Sequence, residues 1–426
     1  MKIVLVNVRY SPNLGDGVIA ECLEDGLKTR LPGAQVIHCD LAGRKSYGGG
    51  RRSFRSFAMR VLPALPNALR SRLAGVGLEY LVRRRLLPHY AAQMDDADAV
   101  IFGGGQLLAD ADLNFPMKIA GAAAQARQQK TPIAIFAVGV GRRWSYEGAN
   151  LFKEAFGGYE LFLASVRDPL SAKRWRRHFA GAGITSPGQC VDPGLLAQKT
   201  YGDSARPEAG PGSRPTIGLC ITNPKTLNAH SDQPEDGDPF AADHFLAIAT
   251  SLIEKDFAVR IFTNGAPDDE RIANDCYAGL VKKGYGEDRV SLAPQSLTPA
   301  ELVRVITLCN AVVSHRLHTH IVAFSYQIPI IGLSLNMKLD QFFEMSGRSE
   351  FLLRETQFNP DVVAERVETA LSSPQSPETY SALVARAESD LDNLVKALTV
   401  YKKTDPDEQK NDAAENDKDG NAQSAA

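Results

Sequence analysis

Long apolar runs are missing from this sequence, and no window approaches the roughly 20 residues that a membrane-spanning helix needs. The opening run, Met1 to Val8, is short and a turn follows at once, so it reads as a first strand and not as a signal peptide. Cysteine is sparse, and its six residues (Cys22, Cys39, Cys190, Cys220, Cys276, Cys309) never fall in a C-x-x-C spacing. They read as reduced core thiols of a cytoplasmic protein. Neither a G-x-G-x-x-G dinucleotide fingerprint nor a G-x-x-x-x-G-K-[ST] phosphate loop occurs. Charge of either sign is nearly balanced, at −2 overall, and no nucleic-acid partner is expected from one basic patch on such a chain.

What the chain does have is alternation. Its 426 residues are too many for one ordinary domain. Short β-branched runs at Lys2–Val8, Gln35–Asp40, Ala97–Phe102, Pro132–Val140, Leu161–Val166 and Gln189–Asp192 predict buried parallel strands separated by helices. The pattern restarts at Thr216–Ile221 and continues through Ala258–Thr263, Val290–Leu292, Ala311–Val313 and Ile328–Leu333. Two doubly wound, Rossmann-like α/β domains follow, at 1–200 and 215–372. A Gly/Pro/Ser-rich linker at 201–214 joins them. A C-terminal helix at 375–402 and an acidic tail at 403–426, expected to be disordered, complete the chain. Loop 223–239 is polar and suits a lip over the cleft.

The first domain carries a basic insertion at 44–90, where nine arginines from Arg51 to Arg85 face a single acid, Glu79. Interleaved Phe, Leu, Val and Tyr residues make the segment suited either to an anionic membrane surface or to a structural helical insert with solvated arginines.

Chemistry concentrates at strand ends. The densest knot is Ser314-His-Arg-Leu-His-Thr-His320, which holds three of the eight histidines beside Arg316. Basic side chains at the positive end of a helix are unfavourable alone and become favourable around an anion. Asn13, Gly15, Asp16 and Gly17 form a tight turn after the first strand, with Asp16 suited either to a helix N-cap or to a ligand contact. Gly103-Gly104-Gly105 permits close approach at the end of the third strand. Arg167 stands at another strand end, either paired with Asp168 or free for a ligand. A zinc cluster of His315, His318 and His320 would lack cysteine or carboxylate partners, and no metal is expected.

Taken together, Asn13-Leu-Gly-Asp16, Gly103-Gly-Gly105, Val138-Gly-Val-Gly141, Ser165-Val-Arg-Asp168, Asp192-Pro193, His315-Arg-Leu317-His318 and Asn336-Met-Lys338 resemble the polysaccharide pyruvyl transferase family. The resemblance implies a glycosyltransferase-B-like fold and a reaction that moves the enolpyruvyl unit of phosphoenolpyruvate onto a sugar, forming a pyruvate ketal and releasing phosphate. It implies no cofactor beyond that donor, and a glycan or lipid-linked acceptor at the inner membrane face. Arg167, Arg316 and His318 match the positions expected to hold and protonate the donor. Asn13, Asp16, Gly104, Gly105, Asp192, His315, Leu317, Asn336 and Lys338 are expected around it. Two alternatives remain at this stage, a nucleotide-sugar glycosyltransferase of the same architecture and a non-catalytic glycan- or lipid-binding relative.

Overall fold

A computed structural model of the chain describes residues 1–48, 75–203, 213–225, 242–335, 337–354 and 358–404. The centre of the basic insertion, most of the expected linker, most of loop 223–239, Asn336 and nearly all of the acidic tail lie outside the described residues.

Two six-stranded sheets carry the fold, and every strand pairing in them is parallel. The first contains β1 (Lys2–Asn7), β2 (Gln35–Asp40), β3 (Ala99–Gly103), β4 (Ile133–Val138), β5 (Leu161–Val166) and β6 (Gly188–Gln189), in the order β2-β1-β3-β4-β5-β6. The second contains β7 (Thr216–Cys220), β8 (Ala258–Phe262), β9 (Val290–Leu292), β10 (Ala311–Ser314), β11 (Ile330–Ser334) and β12 (Leu352–Arg354). Its order is β12-β11-β10-β7-β8-β9, which from the opposite edge is the 3-2-1-4-5-6 winding of a dinucleotide-type sheet. Helices cover both faces, so strands such as Ile3–Val6 and Ala311–Val313 are fully buried and read as unbroken apolar runs. All six cysteines are free and buried.

Strand order reverses between β1 and β3 in the first sheet and between β7 and β10 in the second. A reversal sends neighbouring connections to opposite faces and opens a crevice at the carboxyl ends of the strands. The Asn13–Asp16 turn and the Gly103–Gly105 turn lie at the first crevice, and the loops after Cys220 and Ser314 lie at the second.

Some expectations are corrected. The strand expected at Gln189–Asp192 is only Gly188–Gln189, because Asp192 instead caps a 3-10 turn, Pro193–Leu196, by accepting from the Gly194 amide. Strand β12 and the helix Pro360–Ser372 were not foreseen from sequence. Within β4 the register to β5 shifts between Ile135 and Val138, where Ala137 has φ 53°, a bulge that bends the strand at its carboxyl end.

The C-terminal helix, Pro377–Thr404, crosses back onto the first domain, where Arg30 pairs with Glu388 and Asp392. The described end of the insertion is helical. It buries Val82, Leu86, Tyr90 and Met94 and leaves Tyr80, Arg83, Arg84 and Arg85 exposed. No helix among the described residues is long and apolar enough to cross a membrane.

Candidate active site

The knot after β10 is shaped by its own backbone. Ser314 Oγ accepts from the Arg316 amide at 2.8 Å, and Arg316, extended at φ −88° and ψ 117°, precedes the helix Leu317–Ser325. The Arg316 side chain makes no cap bond and spans the second crevice instead. Its Nε donates to Thr222 Oγ1 at 3.1 Å and its Nη2 to Asp269 Oδ2 at 2.5 Å. Asp269, 1% exposed, also accepts from the Asn223 amide at 2.7 Å.

At the second position of that helix, His318 reaches across to the first domain. Its ring lies against Gly15, where a Cβ would stand 2.6 Å from His318 Cβ and 2.7 Å from Nδ1. Only glycine lets the two helices approach this closely. His318 Nδ1 is 3.9 Å from Asp16 Oδ1, and Arg167 Nη1 lies 3.4 Å from Nε2. A guanidinium can only donate, so Nε2 accepts and the imidazole proton sits on Nδ1, towards Asp16. Burial, first of all, pulls His318 down to about 4; the Asp16 carboxylate opposes this, while Arg167, Lys338 and Arg316 add to it. The ring is therefore neutral at pH 7 and surrounded by cations.

Arg167 is itself buried. Its near partner is Asp192 Oδ2 at 3.2 Å, whereas Asp168 stands 3.7 Å from Nε. Asp168 is committed elsewhere, capping the helix Pro169–His178 through the Ser171 amide and hydroxyl. Burial pushes the Asp192 carboxyl up, against the pull of Arg167. Gly139 leaves room for the guanidinium, since a Cβ there would lie 3.0 Å from Nη2.

The remaining expected residues divide by role. Asn13 joins the two domains by accepting from Asn264 Nδ2 at 3.3 Å, while the Asn264 carbonyl accepts from the Leu14 amide. Asp16 is not the cap of its helix: Asn13 occupies that position, and Asp16 faces His318. Gly104 and Gly105 both adopt positive φ, 76° and 71°, and Gly105 accepts from the Gly139 amide. Lys338 donates across the cleft to the Gln106 side chain. Leu317 is half-buried against the core of the second domain.

His315, expected among the ligand contacts, packs instead inside the second domain. Its Nδ1 donates to the Leu333 carbonyl at 2.6 Å, and its ring meets Phe245 and Phe358 edge-on. His320 donates to the Ser314 carbonyl at 2.9 Å and packs against Phe343. Burial holds these two imidazoles near 3 and 4 respectively. The three histidines thus point to three different places, and among the described residues no group of three His, Cys, Asp or Glu could hold a metal ion.

Gly15, Gly139, Asp269, Thr222 and Gln106 were not singled out as site residues from sequence. The signal for the glycines was present, but a glycine that permits a turn and one that admits a neighbouring side chain look the same.

The model of the polysaccharide pyruvyl transferase family matches residues 13–336, from the first residue of the Asn13–Asp16 turn to Asn336. The chain belongs to that family. Solved structures of low sequence identity share its fold. The UDP-GlcNAc 2-epimerase of Methanocaldococcus jannaschii is 9% identical, with a TM-score of 0.54 over 93% of this chain and 100% of that one. The UDP-GlcNAc 2-epimerase of Neisseria meningitidis, bound to UDP-GlcNAc, is 13% identical, with a TM-score of 0.51 over 94% and 100%. Spinosyn rhamnosyltransferase SpnG is 14% identical, with a TM-score of 0.46 over 94% and 99%. No curated protein is significantly similar to the chain. The glycosyltransferase-B-like architecture expected of this pyruvyl transferase family member is the one observed.

Proposed function

We propose that this protein transfers the pyruvyl unit of phosphoenolpyruvate to two hydroxyls of a sugar, on a polysaccharide or its lipid-linked precursor, and releases phosphate. The observation that carries the reading is the contact of Arg167, from the first domain, with His318, from the second, amid the further cations Lys338 and Arg316. A carboxylate and a phosphate held close together are what such a set would neutralise, and guanidinium groups bind both through paired N–H donors.

In this reading the donor settles between Arg167 and His318. Burial first, and then three cations, keep the imidazole neutral; the donor's negative charge offsets the cations and favours the protonated ring, so His318 takes up a proton. Asp16, beside Nδ1, orients the ring and stabilises the imidazolium. His318 then protonates the methylene carbon, leaving oxocarbenium character at the carbon bearing the phosphate. One sugar hydroxyl adds there and loses its proton. Phosphate leaves with its bridging oxygen, and the second hydroxyl closes the ketal and gives up its own proton. Arg316, fixed by Asp269 and Thr222, supplies charge from the second crevice, and Asp192 holds Arg167 in place.

The work would be done at the cytoplasmic face of a membrane. Exposed Arg83, Arg84 and Arg85 beside exposed Tyr80 suit an anionic lipid surface, where a lipid-linked acceptor would be presented.

The test incubates the protein with phosphoenolpyruvate and a panel of free and lipid-linked glycans, measuring inorganic phosphate and the mass gain of a ketal together. Both should appear with wild type and be lost in His318→Gln and Arg167→Gln. Sugar transfer from a nucleotide sugar, with no phosphate from phosphoenolpyruvate, would overturn the reading in favour of a glycosyltransferase.

A further inference from the structure

Strand β6 is the last strand of the first sheet, and among the described residues no strand lies on its outer side. Two side chains of the C-terminal helix occupy that place. Arg386 Nη2 donates to the Gln189 carbonyl at 2.5 Å, and Asp390 Oδ2 accepts from the Val191 amide at 2.8 Å. A parallel neighbour would bond the same pattern, giving a donor to one carbonyl and an acceptor to the amide two residues on. Arg386 and Asp390 are one helical turn apart and joined to each other, Nε to Oδ1, at 2.9 Å. Asp390 is 5% exposed. The residue after Val191 is Asp192, whose carboxylate holds the Arg167 guanidinium at 3.2 Å.

We infer that Asp390 is a positioning residue for the anion site. Through the Val191 amide it fixes the backbone that aims Asp192, and Asp192 in turn sets the Arg167 guanidinium beside His318. The C-terminal helix thereby acts as a seventh, side-chain strand of the first sheet. This role rests on the donor reading given above, because it makes Arg167 the donor's ligand.

The test compares wild type with Asp390→Ala, Asp390→Asn and Arg30→Gln. Asparagine keeps an oxygen for the Val191 amide. Arg30→Gln loosens the same helix through Glu388 and Asp392 without touching residues 189–192. Phosphoenolpyruvate affinity is measured by titration calorimetry, turnover by phosphate release, and backbone protection of peptides covering 161–168 and 188–196 by hydrogen exchange. Asp390→Ala should weaken donor binding about tenfold while kcat changes less than about twofold. Asp390→Asn should recover most of the affinity, and Arg30→Gln should lower Tm with affinity unchanged. Equal affinity in wild type and Asp390→Ala, or equal weakening by Arg30→Gln, overturns the positioning role. If wild type binds no phosphoenolpyruvate, the donor reading fails separately, and hydrogen exchange decides the positioning role. Protection around 188–196 must then fall in Asp390→Ala and not in Arg30→Gln; otherwise the role is overturned.

Discussion

Phosphoenolpyruvate binding near pH 6 should take up close to one proton, carried by His318. In the free protein the imidazole sits at about 4. At pH 6 it is therefore only ~1% charged. A single negative charge arriving about 4 Å from the ring contributes ~4 kcal/mol at an effective dielectric of about 20, or ~3 pKa units. That raises the ring to roughly 7 and makes it ~90% charged at pH 6. The sign of the linkage follows. Between about 4 and about 7 the complex holds the proton and the free protein does not, so affinity falls as pH rises, by up to ~tenfold per unit. Calorimetric titration in buffers of different ionisation heat counts the protons directly. Phosphoenolpyruvate titrates in the same range, so the difference between wild type and His318→Gln isolates the imidazole. A difference below about 0.2 proton at pH 6 would refute both the charge balance and the acid role argued for His318.

Two further outcomes test the surrounding geometry. Gly15→Ala should lower phosphate-release kcat by about a hundredfold, because a Cβ 2.6 Å from His318 Cβ must displace the ring, and an ångström of misplacement costs about that much. Alanine is itself the better helix former by ~1 kcal/mol, so wild-type turnover in this variant would show that the helices part freely. His320 provides an acid-stability test. Its folded value, about 4, lies below the ordinary 6.5, so its contribution is intact above about 6.5 and is lost as pH falls towards 4. At pH 5 the loss is about 2 kcal/mol, and His320→Gln, which keeps a donor for the Ser314 carbonyl, should remove it in urea denaturation compared at pH 8 and pH 5. An unchanged pH slope in that variant would count against a buried neutral imidazole.

Much of the fold was legible because parallel strands covered on both faces must be apolar throughout. The interior strand Leu161–Val166 matches residue for residue, and so do the edge strands Gln35–Asp40 and Val290–Leu292, which carry polar residues because they are only partly covered. Strand β12 was not legible, since Leu352–Arg354 is too short to show a period. The site was legible only in part. Strand ends could be located, and with them Arg167 and the 314–320 knot, but direction could not. His315 and His318 are three residues apart, yet His315 precedes the helix and turns towards Leu333, while His318 lies on the helix and turns towards Gly15. Pairings across the chain were hidden for the same reason. Arg167 does pair with Asp168, at 3.7 Å, but its closer partner is Asp192, at 3.2 Å and 25 residues away, which adjacency in sequence could not announce; Asp168 also caps the following helix.

The contact lengths separate framework from working parts. Arg316 is bonded to a buried carboxylate at 2.5 Å, and that carboxylate is bonded in turn to a backbone amide; removing a partner from such a set leaves an uncompensated buried charge. The contacts around His318 are longer, 3.4 Å to Arg167 and 3.9 Å to Asp16. At those lengths little hydrogen-bond energy is committed, so a ligand that enters between them displaces little and gains the field of three cations. On the proposed reading, the short bonds hold Arg316 in place, and the long contacts are where the donor anion would enter. In the proposed mechanism His318 suits that point, because a neutral imidazole can gain a positive charge to meet the ligand's negative one.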